Sequence, residues 1–437
     1  MNDKKQIFGW AMYDWANSAY MTTVAAAVLP IFFAKVVVPP EGVAIGGTVY
    51  SATTLWGFLI SLSTFIIFLT APILGAISDF SASKKKFLMA FCYGGSLFTI
   101  LLFFCGSGDV WMTMLFFLVA QIGFAGGNVF YDAFLPHIAS PDKMDWVSGK
   151  GFSFGYIGGG IQFAIALVII SANDRLGIDS SLAARIAMSM AGLWWAGFSL
   201  ITFLKLKETA PAEKLPEKYR RLPKVLGYAW LGIDRTFKTA VKVRRFRHLL
   251  LFLVAFMVYD DGIQTVISMA TMYGTAELGL SNTVLMLTLL IIQIIGIPSA
   301  LLFGKLGELL STKTALMITL VLWSGIVIYA FFITSAAQYM ALGAVVGLAM
   351  GGSQALSRSL YGSIIPAEAS AEFFGFYSVF SKFASIAGPL MFGIIHQATG
   401  SSRYAILSLI AFFLTGILLL SFVNLAKARE AKEKGLF

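Results

Sequence analysis

Apolar residues in this chain gather into runs of twenty or more, broken by short polar turns, and do not alternate with polar ones. Runs of that length match the ~30 Å hydrocarbon thickness of a bilayer at about 1.5 Å per helical residue. The pattern predicts twelve spans, at about 8–36, 50–78, 86–106, 110–135, 149–172, 183–205, 249–273, 282–305, 314–335, 338–361, 373–397 and 402–425. Helices are expected because a backbone in lipid must satisfy its own hydrogen bonds. A membrane barrel would show short alternating segments, which are missing here. Composition agrees: 58% of the 437 residues are hydrophobic and only 12% charged, against roughly 25% charged in a soluble protein.

Charge adds direction. With both termini inside, only Lys35, Arg175, Arg185 and Arg403 among the 32 Lys and Arg fall on the outer side. By the positive-inside rule both termini are cytoplasmic. The net charge of +10 therefore reflects topology, and no nucleic-acid partner is expected. Short loops and the lack of a targeting extension suit a bacterial inner membrane. The first run is too long for a signal peptide, and no cleavage pattern follows it.

The segment 206–248 separates six spans from six. It carries Pro211, Pro216 and Pro223 and is rich in Lys and Arg. Within it Leu226, Trp230, Ile233, Phe237 and Val241 recur at helical spacing among Lys224, Arg235, Lys238, Lys242 and Arg245. Two readings fit: an amphipathic helix on the anionic inner leaflet, or a solvated linker. The expected domains are a bundle at 1–205, the basic linker at 206–248, a second bundle at 249–425 and a cytoplasmic tail at 426–437.

The halves echo each other. "GAISDFSASKKK" from Gly75 is answered by "GKLGELLSTK" from Gly304, pairing Asp79 with Glu308 and Lys84, Lys85 and Lys86 with Lys313 at an offset of 229. Gly159 and Gly388 share that offset, Pro136 and Pro366 differ by 230, and "MYDWANSAY" finds an echo in "VYDDGIQT". Two such halves joined by a basic loop resemble the major facilitator superfamily, whose signature loop the Gly75–Lys86 stretch resembles. More narrowly, "GWAMYDWANSAY" resembles the opening of the autophagy-related vacuolar amino-acid effluxer family and its bacterial relatives. The resemblance implies an all-α membrane protein of twelve transmembrane helices in two pseudo-symmetric six-helix bundles. It also implies a central cavity lined by spans one, four, seven and ten, and transport of a small solute such as an amino acid.

Charges inside a span cost several kcal/mol and mark function or a built network. Asp14 and Asn17 share a face of span one, as Gln121, Asn128 and Asp132 do of span four. Both aspartates fall near the cytoplasmic ends, where they form either a latch or a direct substrate or proton site. Asp79, Lys84, Lys85, Glu308 and Lys313 are expected in the same cytoplasmic gate. In span seven Asp260 and Asp261 lie roughly 17 Å deep, with Asp261, Gln264 and Ser268 on one face. Lys382 of span eleven, at similar depth, needs a carboxylate partner, and Asp260 or Asp261 is the first choice. Arg358 shares a face of span ten with Gln354 and is expected opposite Asn128. Gly151, Gly155 and Gly159 form a close-packing stripe in span five.

The expectation is a secondary transporter working by alternating access, moving a small polar solute with proton coupling through Asp260 or Asp261. Substrate or coupling groups are Asp260, Asp261, Gln264, Lys382, Arg358, Asn17, Asn128 and Gln354. Two alternatives stay open: a transporter of lipids or amphipathic drugs, and a membrane sensor that moves nothing. No Walker loop, metal spacing or nucleophile–base motif stands out, so neither a cofactor, a metal nor an enzyme activity is expected. Cys92 and Cys105, roughly 20 Å apart on one helix, read as packing residues.

Overall fold

The computed structural model describes residues 1–208, 215–384 and 387–434. Twelve helical segments are long and apolar enough to cross a membrane. They are span one (Lys4–Val37), two (Ala52–Phe80), three (Lys84–Phe104), four (Val110–Ile138), five (Met144–Ser171), six (Ser180–Lys205), seven (Arg247–Thr275), eight (Thr283–Leu309), nine (Thr312–Phe332), ten (Ala336–Ile364), eleven (Ala367–Thr399) and twelve (Ser402–Ser421). Each expected span has its counterpart, and most run a few residues longer at one end. Both termini lie on one face, called here the terminal face; the opposite one is the far face.

Local chemistry explains several boundaries. Ser51, Asp179, Ser281, Ser311 and Ser335 cap the first turns of spans two, six, eight, nine and ten with side-chain oxygens, satisfying amides that lack an intrahelical partner. Span one is not uniform: Tyr20–Val28 and Phe33–Val37 are wound as π-helix around Pro30. Wider winding of this kind is concentrated at functional sites. Between spans one and two, Val43–Ile45 and Thr48–Tyr50 pair as an antiparallel hairpin. Its Gly46-Gly47 turn has φ of +57° and +83°, a conformation glycine adopts at little cost.

The described helical stretches of span eleven are Ser370–Phe383 and Ala387–Thr399. The linker is largely helical, as Glu217–Arg220 and Lys224–Arg245; Pro211 falls outside the described residues.

The halves meet along two seams, span two against eleven and span five against eight and ten. Spans seven and ten are the most enclosed. Span two turns Phe58, Leu62, Phe65 and Leu69 outward, as a lipid-facing helix should.

Candidate functional site

A cavity of about 520 Å³ lies between the halves. Spans one, four, seven and ten line it as expected, and five, eight, nine, eleven and twelve also contribute. It reaches Tyr273, Leu285, Tyr339 and Ile406, all within a turn or so of the far face. Toward the terminal face it stops at Asp14, Asp132 and Arg358.

That floor is built from four spans. The Arg358 guanidinium (span ten) donates through Nη1 to Asp132 at 3.1 Å and to Asp14 at 3.4 Å. Its Nε and Nη2 donate to the hydroxyl and carbonyl of Ser148, at 3.0 and 2.8 Å. The rings of Phe152, Trp10 and Tyr131 surround it at 4.0, 4.8 and 5.3 Å, adding cation–π attraction in a desolvated place. The Tyr131 hydroxyl donates to Asp14 at 2.8 Å and the Trp10 indole to the Tyr131 carbonyl at 2.8 Å. Asp14 and Asp132 thus meet in one layer, as their helix faces suggested. Arg358 was expected among the substrate groups; here its donors are taken by protein. Next to it Asn17 donates to Asn128 at 2.7 Å, a bond worth about 0.6 kcal/mol in a typical membrane bundle.

Below this layer the terminal face closes further. Asp79 pairs with Lys84 at 2.8 Å and accepts from the amides of Ala371 and Glu372 at the start of span eleven. His137 touches Lys84 at 2.9 Å and Ser370 at 3.2 Å. The Lys85 amide donates to Glu208. The second half does not copy this arrangement. Glu308 faces Lys143 at 3.5 Å and Lys305 at 4.0 Å, while Lys313 caps the carbonyls of Ser421 and Val423. The sequence repeat therefore overstates the symmetry of this gate. Asp145 of span five fills part of the role, accepting from Ser359 at 2.5 Å and Thr312 at 2.7 Å across the seam. Sequence reasoning missed Asp145, because it began span five at about 149 and left this acid in the preceding loop, whereas the helix starts at Met144. It also missed Ser148, a small polar residue without any pattern.

At mid-depth Asp260 lines the cavity and accepts from Ser381 at 2.9 Å and Gln264 at 3.3 Å. Lys382 lines the same space within electrostatic reach of Asp260. The expected direct pair is absent: among the described residues no ion pair reaches Lys382. Asp261 is corrected more strongly. It turns away from the cavity and accepts from the amides of Ala387 and Gly388 at 3.1 and 2.9 Å, capping the second piece of span eleven. Gln354 accepts from Tyr156 at 2.8 Å across the seam, and Gln293 donates to Thr22 at 3.2 Å. The apolar wall comes from Ile263, Ile267, Leu289, Ile292, Val346 and Met350.

The glycine stripe behaves as a packing groove. Gly155 lies against Ser18 and Asp14, Gly159 against Ser18 and Thr22, and Gly151 against Trp10, Tyr131 and Arg358. Every described hydrogen bond or ion pair between the halves lies between mid-depth and the terminal face. The molecule is closed at its terminal face and open at its far face.

Two pseudo-symmetric six-helix bundles around one central cavity define a major facilitator fold, and solved structures of that fold superpose on nearly the full length of the chain. The human organic anion transporter MFSD10 (TETRAN) matches with a TM-score of 0.72 at 15% identity, covering 95% of this chain and 99% of its own. FucP in its outward conformation matches at 0.70 and 12%, covering 96% and 98%. The chain belongs to the family described as vacuole effluxer Atg22 like, whose model matches residues 2–433. A Bacillus subtilis relative, the uncharacterized MFS-type transporter YxiO, is 37% identical over 96% of this chain and 95% of its own length. Autophagy-related protein 22-1 of Neosartorya fischeri is 28% identical over 64% of this chain; the match spans 48% of that protein. The protein is thus a multi-pass transporter of the major facilitator type, which sets aside the sensor reading.

Proposed function

We propose that this protein carries a small zwitterionic solute, an amino acid with an apolar side chain, by alternating access. The observation that carries the reading is the pair Asp260 and Lys382: two opposite charges facing one cavity without pairing directly. A ligand ammonium beside Asp260 and a ligand carboxylate beside Lys382 would complete both at once, in a space where charge–charge attraction is weakly screened. The apolar wall opposite suits an aliphatic or aromatic side chain. A lipid or amphipathic drug fits less well, because amides and charges line the cavity from its floor at Arg358 up to mid-depth at Asp260, Gln264 and Lys382.

Both termini are assigned to the cytoplasm of a bacterial inner membrane from the distribution of Lys and Arg, making this conformation outward-open. The bundles 1–205 and 249–425 would rock about the mid-depth site at Asp260 and Lys382, with Asp14, Asp132 and Arg358 as the cytoplasmic latch. Proton coupling is assigned to Asp260, the aspartate of its pair that faces the cavity. The test is uptake of labelled amino acids into proteoliposomes with a thermal-shift screen alongside, since a ligand stabilises the state it binds. Asp260→Asn and Lys382→Met should each abolish uptake and the ligand-induced shift while leaving the unliganded melt in place. Unchanged uptake in both variants would refute the zwitterion reading.

A further inference from the structure

The linker helix Lys224–Arg245 touches both halves at the closed face. Gly232 lies directly on span two, so close that a β-carbon there would stand 3.0 Å from the Ile73 carbonyl oxygen. Leu231 joins Phe80 and Tyr219 in a small core of its own. One turn on, Arg235 stacks over the Phe80 ring at 5.7 Å and lies 4.0 Å from the carboxylate of Glu372, in the first turn of span eleven. Span two belongs to the first half and span eleven to the second, so this one helix bridges them.

Its opposite stripe is exposed among the described residues. Leu226, Trp230, Ile233, Phe237 and Val241 are all exposed, Phe237 at 72% and Trp230 at 55%. These positions follow one another at three or four residues and form a continuous apolar ridge. Depth identifies what covers the ridge. The helix lies against Ile73, Ile77 and Phe80, the last two turns of a membrane span, which is the level of the headgroup–acyl boundary. A ridge with a tryptophan at that level suits the bilayer interface. The charge agrees: residues 215–247 hold ten Lys and Arg but only Glu217 and Asp234 as acids. Asp234 is engaged by Lys238 at 2.7 Å and by the Tyr219 hydroxyl at 2.8 Å.

We propose that the linker helix docks on the anionic membrane surface and, so docked, clamps spans two and eleven together, making the stability of the closed terminal face depend on anionic lipid. The bilayer orients the ridge, the ridge fixes the helix, and the opposite stripe holds both halves through Gly232 and Arg235. Loss of the anionic surface lowers the interfacial attraction and releases a contact that only the closed face contains.

The test uses full-length protein in two vesicle types, phosphatidylcholine alone and phosphatidylcholine mixed with phosphatidylglycerol. Cys92 and Cys105 are fully buried, so introduced cysteines can be labelled selectively. A nitroxide on Phe237→Cys should collide with oxygen and be shielded from a water-soluble nickel chelate in the mixed vesicles. A label open to the chelate in both vesicle types would overturn the proposal and point to a soluble partner. Spin-label distances between Lys86→Cys and Glu368→Cys, both exposed on the closed face, should show more of the short population in mixed vesicles. Equal distributions in both lipids would also overturn it. Trp230→Glu with Phe237→Glu should remove the lipid response, whereas Trp230→Leu with Phe237→Leu should keep it. The wild-type lipid comparison stands even where the glutamate variant fails to fold.

Discussion

Replacing Arg358 with methionine removes the one cation of the cavity floor among the described residues and leaves Asp14 and Asp132 facing each other. In the closed state both carboxyls lie in a mostly buried layer beneath stacked rings, at side-chain exposures of 12% and 19%. Removing one partner of a buried ion pair costs about 3–5 kcal/mol, because the remaining charge has no counterion. In a terminal-face-open state the same carboxyls meet water, so most of that cost falls on the closed state alone. A difference of about 3 kcal/mol shifts the closed-to-open ratio roughly a hundredfold. Spin labels on Asp142→Cys and Leu310→Cys, exposed across the seam at the terminal face, report the ratio as a distance distribution. The expected result is a large shift toward long distances in Arg358→Met. Adding Asp14→Asn and Asp132→Asn should restore most of the closed population, since a neutral layer carries no unpaired charge. A wild-type distribution in the single variant would refute the reasoning. So would a triple variant as open as the single one.

Two further perturbations separate strong contacts from weak ones. Asp79→Ala strips the buried Lys84 of its partner and uncaps span eleven, and should lower stability by about 3–5 kcal/mol. Glu308→Ala, whose lysine partners are 50% and 59% exposed, should cost about 0–1 kcal/mol after solvent screening; thermal melts in detergent distinguish the two, and equal losses would contradict the asymmetry. Gly388→Ala would put a β-carbon 2.7 Å from Asp261 Oδ1 and against the Thr265 hydroxyl. It should cost about 1–3 kcal/mol by overpacking, and an unchanged melting temperature would place Asp261 elsewhere.

Much of the architecture follows from the chain alone, because lipid imposes one rule on every backbone group and one length on every span. Twelve runs, one basic linker and a repeat at an offset of 229 were enough to specify two six-helix halves. Helical periodicity also placed Asp14 with Asn17, and Asn128 with Asp132, on common faces. What periodicity cannot supply is the rotation of one helix against another, which is set by packing across the seams. Asp260 and Asp261 differ by about 100° around span seven, and only the tertiary structure decides that the first lines the cavity while the second caps span eleven. Likewise the repeat matched Glu308 to Asp79 in sequence, yet their neighbours differ: Asp79 meets helix amides, whereas Glu308 meets two exposed lysines. Arg358 shows the limit most clearly. Its chemistry required a carboxylate, but both of its partners lie more than two hundred residues away in the other half, brought together by the closed state itself.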